Sequence, residues 1–274
     1  MVSFPNAKIN IGLNIIGKRA DGFHNLETIF YPVAVKDAVE LIENKDASTD
    51  VIFSSTGNSI NVQDDENLCL KAVRLLKKDF EIPSLKMHLH KNIPMGAGMG
   101  GGSADASAIL LLLNKKFQLN ISTEKLIEYA LLLGSDCPFF IINKPCFACG
   151  RGEVLQEIPL DLSAYKILIV HPGIHVNTAE AFTQLNANNF SPAGELAAQI
   201  KLDIQHWRHT IKNDFEASVF KKHVAIKEIK EKLYNEGAVY SAMSGSGSTV
   251  FGIFPLEVDT TNIKFPSHYF CQLV

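Results

Sequence analysis

The residues of this chain whose types and spacing could do chemistry begin with the run Pro94-Met95-Gly96-Ala97-Gly98-Met99-Gly100-Gly101-Gly102-Ser103-Ala104-Asp105, which places five glycines within seven positions. Glycine removes the Cβ atoms that keep a ligand from the backbone and permits positive φ, so successive amide N–H groups can turn toward one anion. Ala104 to Leu113 is rich in strong helix formers, and Ser103 or Asp105 is available as its cap. The run therefore predicts a nucleotide-phosphate loop feeding a helix N-terminus, with a valine at Gly100 or Gly101 expected to block the nucleotide. It is neither a Walker A motif, since no Lys-Ser/Thr pair follows its last glycine, nor the dinucleotide fingerprint of a first βα turn. A flexible glycine linker would not ordinarily lie between the alternating segment Leu85 to Leu89 and an apolar helix.

Other candidates are scattered. Lys8 and Asn10 share the polar face of an alternating segment, Ala7 to Ile15, where a solvated surface charge is the commoner role for a lysine. Gly17 to His24 is a polar turn ending in an aromatic ring and an imidazole, Phe23 and His24. Gly134-Ser135-Asp136-Cys137-Pro138 is expected to break a helix and put Asp136 at a bend, in the extended geometry favoured ahead of a proline; a plain turn or cap aspartate is the alternative. Ser241 to Thr249 is a second loop of small hydroxyls and glycines, suited to packing against phosphate or against the first loop. Cys146-x-x-Cys149 lacks a further ligand pair at metal spacing and reads as ordinary buried or strand thiols.

The elements that must position these residues form a mixed pattern. Strands are expected at 7–15, 26–35, 37–42, 51–54, 85–89, 139–142, 167–170, 238–241 and 249–254, with 44–50 a loop. Helices are expected at 67–80, 104–113, 123–133 (entered by Ser122 or Thr123), 178–186, 193–201, 213–219 and 222–236. Gly150-Arg151-Gly152-Glu153 reads as a hairpin turn. Strands and helices recur without strict βα alternation, which predicts an α+β chain, cut near residue 155 into parts 1–155 and 156–274.

Length and composition agree with that. A chain of 274 residues with 46% hydrophobic content can bury one large core or two ordinary ones. Its formal charge of -3 supplies no general basic field, so nucleic acid is not an expected partner. The apolar stretch 109–113 is far too short to span a bilayer, so no membrane partner is expected either. Five cysteines, with no apolar segment after Met1, point to a reducing cytoplasm.

Taken together, the short N-terminal strand motif Ala7-Lys8-Ile9-Asn10, the stretch Arg19 to His24, the run Pro94 to Asp105, the stretch Gly134 to Phe140 and the C-terminal Ser-Gly loop resemble the GHMP small-molecule kinases, and the likeness covers essentially the whole chain. It is strongest to members of the non-mevalonate isoprenoid pathway that phosphorylate the 2-hydroxyl of a methylerythritol carried on cytidine diphosphate.

The resemblance implies a fold with an N-terminal domain like the second domain of ribosomal protein S5, a ferredoxin-like C-terminal domain, and the active site in the cleft between them. It also implies ATP and Mg²⁺ as cofactors, a small-molecule substrate bearing a cytidine diphosphate, and a monomer or weak homodimer. By the same likeness Asp136 matches the catalytic base, Lys8 its partner, the residues from Pro94 to Ala104 the ATP binder, and Asn10 and His24 the substrate binders. Phe23 and Phe182 are expected to stack on the cytosine, Phe182 being placed by its spacing from Pro172-Gly173. No protein ligand for the metal is implied. Three positions depart from the family pattern: Phe23 where Tyr is common, Met99 where Leu is usual, and Asp105 where Asn is also common. Two alternatives stay open, another GHMP kinase acting on homoserine, mevalonate or a sugar, and a non-catalytic nucleotide-binding relative.

Overall fold

The computed structural model describes residues 1–45, 50–60, 62–184 and 190–274. In chain order the elements are β1 (Val2–Ser3), β2 (Asn6–Lys18), β3 (His24–Lys36), β4 (Ala38–Glu43), β5 (Val51–Gly57), α1 (Leu68–Lys77), β6 (Leu85–Lys91), α2 (Gly101–Lys116), α3 (Thr123–Leu133) and α4 (Cys137–Ile142). They continue with β7 (Cys146–Cys149), β8 (Val154–Glu157), β9 (Tyr165–His171), α5 (Thr178–Thr183), α6 (Glu195–Gln199), α7 (Ile204–Thr210), α8 (Glu216–Lys222), α9 (Val224–Asn235), β10 (Tyr240–Met243), β11 (Val250–Pro255) and β12 (Phe270–Leu273). The chain is α+β, and by contact it forms two compact units, each assembled from several stretches: Met1–Ala7, Ala34–Met95 and Gly100–Asn143 in one, Lys8–Val33, Gly96–Met99 and Lys144–Val274 in the other.

In the first unit the sheet order is β1-β4-β6-β5, with β4 antiparallel and β5 parallel to β6. Strand β6 alternates strictly, so Leu85, Met87 and Leu89 face a core completed by Ile109, Leu110 and Leu113 of α2, Leu76 of α1 and Leu126 of α3. The side chain of Asn67 caps α1 by accepting from the amides of Cys69 and Leu70, and Ser122 caps α3 through the Lys125 amide. The strand expected at 139–142 is instead α4. Pro138 stands in its first turn, where its missing N–H costs nothing, and Phe139 and Phe140 are buried. A short apolar run without periodicity reads equally as strand or helix, and here the proline decides.

In the second unit one sheet runs β2-β3-β7-β8 and the other β10-β11-β9-β12, antiparallel at every paired edge of the latter. The hairpin turn at Gly150 to Glu153 joins β7 to β8, as expected. Helices α8 and α9 pack Val219, Ile226, Ile229 and Leu233 against Val170, Val250 and Phe254 of the second sheet. Helix α7 and strands β1 and β12 were not expected from the sequence; the part of the expected helix 178–186 beyond residue 184, and most of the expected loop 44–50, lie outside the described residues.

The largest departure from the sequence pattern is β2. Alternation predicts a solvated polar face, yet Lys8, Asn10 and Asn14 are all buried. Within the unit that face is covered: Ile211 and Leu196 approach Gly12 so closely that a Cβ there would stand 2.7 Å from each, and the Asn10 amide donates to Ser244 Oγ at 3.1 Å.

Candidate active site

In the first unit the approach to α2 is set by Asp37. Its Oδ1 accepts from the amides of Asn92 at 2.6 Å and Ile93 at 2.8 Å, fixing the residues that lead to Pro94 and Met95. Helix α2 begins at Gly101 behind a left-handed Gly100 (φ 68°), with no side-chain cap bond and no acidic residue in its first turn. Ser103 and Asp105 therefore lie inside the helix, and neither is the cap that the sequence suggested. The first-turn amides of a sixteen-residue helix are left without intrahelical partners, a suitable environment for phosphate. The glycines here differ in role. A Cβ at Gly101 would fall 2.8 Å from Lys91 Nζ and 2.9 Å from Ile93 Cγ2, whereas at Gly102 the nearest atom is Leu68 Cδ1 at 3.9 Å. Gly101 is thus a packing glycine, which corrects the expectation that a valine there would act on the nucleotide; the open position is Gly102.

Asp136 lies in the same unit as the residue preceding α4. It is right-handed helical (φ -82°, ψ -18°) and not extended, because the residue directly ahead of Pro138 is Cys137. Its side chain makes no cap bond to α4. Ser107 Oγ donates to the Cys137 carbonyl at 2.8 Å, tying α4 to α2. Burial pushes the Cys137 thiol up to about 11, with Ser103 and Ser107 hydrogen-bonding against that shift and Asp136 adding its charge to it. Ser103, Cys137 and Asp136 are therefore near neighbours, so the first turn of α2 and the proposed base share one corner of the unit.

The second unit brings together Lys8, Asn10 and the glycine stretch Gly96 to Met99. Lys8 is not a surface charge: its ammonium donates to Asn10 Oδ1 at 2.5 Å and to the Gly98 carbonyl at 3.2 Å, and lies 4.9 Å from the Phe30 ring centroid. The Lys8 amide donates to the Met99 carbonyl at 3.0 Å, and the Thr249 amide to the Ala97 carbonyl at 3.2 Å. Ser244 Oγ donates to the Gly98 carbonyl at 2.8 Å; a Cβ at Gly98 (φ 78°) would sit 2.2 Å from the Ser244 carbonyl oxygen, so only glycine fits. The Ser-Gly loop thus packs on the first loop, as one of its two sequence readings held. Thr28, which sequence reasoning passed over, completes the node by accepting from Asn10 Nδ2 at 2.9 Å.

His24 opens β3, and burial, followed by the charge of Lys18, holds its imidazole below the usual range, favouring the neutral ring. Phe182 does not stand apart to sandwich a base with Phe23. It stacks on His24 itself, with centroids 5.0 Å apart and planes at 18°, and is backed edge-on by Phe215. Phe23 is exposed and carries the Arg151 guanidinium 5.0 Å from its ring centroid. Arg151 was read from sequence only as part of a turn; that turn is bonded to this strand by the Leu26 amide on the Gly150 carbonyl at 2.8 Å. Phe190 stands edge-on to His24 with centroids 6.2 Å apart, and a cavity of about 980 Å³ meets the aromatic group only through it and is lined by none of the candidate site residues.

Cys146 and Cys149, three residues apart on β7, fall on opposite sheet faces and cannot close on one metal. Among the described residues no group of three or more His, Cys, Asp or Glu side chains could hold a metal ion, and no helix is long and apolar enough to cross a membrane.

Comparison with known proteins identifies the family. Residues 67–144 match the family model of the GHMP kinases N terminal domain, and residues 181–264 that of the GHMP kinases C terminal domain. A 4-diphosphocytidyl-2-C-methyl-D-erythritol kinase of Bacteroides fragilis is 46% identical over 272 residues, covering 99% of this chain and 98% of that protein. A crystal structure of 4-(cytidine 5'-diphospho)-2C-methyl-D-erythritol kinase superposes with TM-score 0.79 at 29% identity, over 92% of this chain and 90% of that one. The homoserine kinase of Cytophaga hutchinsonii, at 17% identity and TM-score 0.68 over 93% of this chain and 85% of its own, shares the fold. The chain belongs to the GHMP kinase family, in the branch of the 4-diphosphocytidyl-2-C-methyl-D-erythritol kinases.

Proposed function

We propose that this protein transfers the terminal phosphoryl group of ATP to the 2-hydroxyl of 4-diphosphocytidyl-2-C-methyl-D-erythritol, a step of non-mevalonate isoprenoid synthesis. The observation that carries the reading is the likeness to the Bacteroides fragilis kinase along 99% of the chain, at a level that the homoserine kinase does not approach. Phosphoryl transfer asks a protein chiefly for positioning and electrostatics. In this reading the first-turn amides of α2 take the ATP phosphates, with Gly102 as the point of close approach. Asp136 accepts the proton of the attacking hydroxyl, the P–O bond to ADP breaks as the new one forms, and Lys8 stabilises the developing charge. Neutral His24 supplies a donor and an acceptor to the cytosine edge, and Asn10 orders Lys8.

Mg²⁺ needs few protein ligands when it arrives on a nucleotide, because phosphate and water oxygens supply most of its shell. Bound there, it would neutralise phosphate charge. The reading also includes the division near residue 155 into an ATP-binding part (1–155) and a substrate-side part (156–274), a cytoplasmic location, a monomer or weak homodimer, and no nucleic-acid or membrane partner.

The test is kcat/KM for phosphorylation of the cytidine compound, its uridine analogue, homoserine and mevalonate. A preference of several powers of ten for the cytidine compound is expected, since a site matched to one donor and acceptor pattern leaves buried groups unpaired with another. Equal use of the uridine analogue would sink the assignment of the base site, and preference for homoserine or mevalonate would sink the substrate.

A further inference from the structure

Three charged side chains lie in the interior of the first unit: Lys91 at the inward end of β6, Asp37 between β3 and β4, and Asp105 on α2, each 1% exposed. Lys91 continues the alternation of Leu85, Met87 and Leu89, so the register of β6 delivers its ammonium to the core. That ammonium is bonded to Asp37 Oδ2 and lies 2.8 Å from Asp105 Oδ2. The two carboxyl groups are not equivalent. Asp37 is satisfied as an anion, with Oδ1 on two backbone amides and Oδ2 on Lys91. Asp105 has Oδ2 on Lys91, while its buried Oδ1 has no hydrogen-bond partner. An ionised carboxylate with an unpaired buried oxygen is costly, and one lysine cannot neutralise two carboxylates. A protonated Asp105 removes the excess charge and gives the trio a net charge of zero. Among the described residues the further titratable group facing the trio is the Cys69 thiol on α1, which burial, with Asp105 adding to it, pushes well up, so it contributes no charge.

The trio sits under the start of α2, since Lys91 Nζ is 2.8 Å from where a Cβ of Gly101 would be. We propose that Asp105 is protonated in the phosphate-binding form of the protein, and that Lys91, Asp37 and protonated Asp105 form a neutral positioning unit beneath the phosphate-binding turn of α2. Loss of that proton places an uncompensated negative charge behind the turn and weakens phosphate binding. This rests on the reading that nucleotide phosphate binds at α2. Burial, with Asp37 adding to it and Lys91 opposing, pushes the Asp105 carboxyl up to about 7, so the change falls near neutrality. Asn, which is also common at this position in the resembled family, is the permanently neutral form of the same shape, and Asp makes neutrality depend on pH.

The experiment measures Kd for ADP by calorimetry from pH 6 to pH 8.5 on the parent and on Asp105→Asn, and takes the ratio of the two values, which cancels the titration of the ligand. The parent is expected to lose affinity relative to the variant by roughly three- to tenfold across that interval, the size of one unit charge acting through a partly screened path. A carbon-13 NMR titration of the Asp105 carboxyl in the parent is expected to show it protonated at pH 6 and ionising in the same interval, and it decides the matter even if the variant does not fold. A pH-independent Kd ratio, or an Asp105 already ionised at pH 6, would overturn the inference. Nucleotide binding unchanged in Gly102→Val would instead overturn the placement of phosphate at α2, and the inference with it.

Discussion

At the scale of single residues, the environment decides what each titratable group can do. Lys8 is a buried ammonium held by Asn10 and a backbone carbonyl, a fixed charge and not a mobile surface one. Asp136 stands at the start of α4 and is the base in the proposed reaction. Asp136→Asn is therefore expected to lower kcat by about 10² or more while nucleotide binding is kept, since general-base contributions are of that size; calorimetry with ADP beside steady-state rates checks both halves. His24 is held flat against Phe182, so two substitutions should converge. His24→Ala removes the hydrogen-bonding edge and Phe182→Ala removes the surface that orients it. Each is expected to lower the ratio of kcat/KM for cytidine over uridine acceptors by at least about tenfold. Phe23→Tyr, at an exposed ring, should leave that ratio within about twofold of the parent. An unchanged ratio in Phe182→Ala would show that His24 needs no support from the stack.

At the scale of elements, α2 is the organising piece of the first unit. Its inward face completes the core, its uncapped end offers amides, and its first two glycines have opposite surroundings. Gly101→Val must displace Lys91 or Ile93 and is expected to lower Tm by many degrees or to prevent soluble expression, with any folded fraction losing acceptor and nucleotide kinetics alike. Gly102→Val makes only an ordinary contact with Leu68, and valine and glycine differ little in helix propensity, so Tm should shift by no more than a few degrees. Its KM for ATP should rise at least about tenfold with the KM for the acceptor little changed. The pair separates a structural glycine from a ligand-facing one. If both substitutions leave KM for ATP alone, the nucleotide lies elsewhere.

At the scale of the whole molecule, buried ionisable groups set how stability responds to pH. His171 on β9 is buried, with Nδ1 3.1 Å from Ser248 Oγ, and burial pushes its imidazole down to about 4. Between about pH 6.5 and that value the unfolded chain binds a proton that the folded chain refuses, so stability is complete above the unfolded value and is lost as pH falls toward 4. The full loss from this group is about 3 kcal/mol. Urea titrations at pH 7, 5.5 and 4.5 should show His171→Asn, which preserves a polar partner for Ser248, losing less stability than the parent as the pH drops. A constant difference between the two proteins at all three values would mean that His171 does not titrate in this way.

The sequence by itself determined the α+β class, most elements with strong periodicity or caps, the glycine run, and a likeness specific enough to name the family. These are local properties: a period of two, an Asn or Ser ahead of an apolar run, and five closely spaced glycines are legible without neighbours. It did not determine which glycine is closely packed, because that depends on Lys91 and Ile93 lying beneath Gly101 and on nothing comparable lying near Gly102. Nor did it show that α4 is a helix, that Phe182 backs His24, or that Lys8 is buried, since each follows from what is packed against the residue and not from its spacing. The trio of Lys91, Asp37 and Asp105 marks the same boundary most plainly: its members are separated by 54 and 14 positions in the chain, and only the pairing of β4 with β6 and the packing of α2 on that sheet bring two carboxylates and one ammonium into a shared interior, where burial makes their protonation a property of the fold.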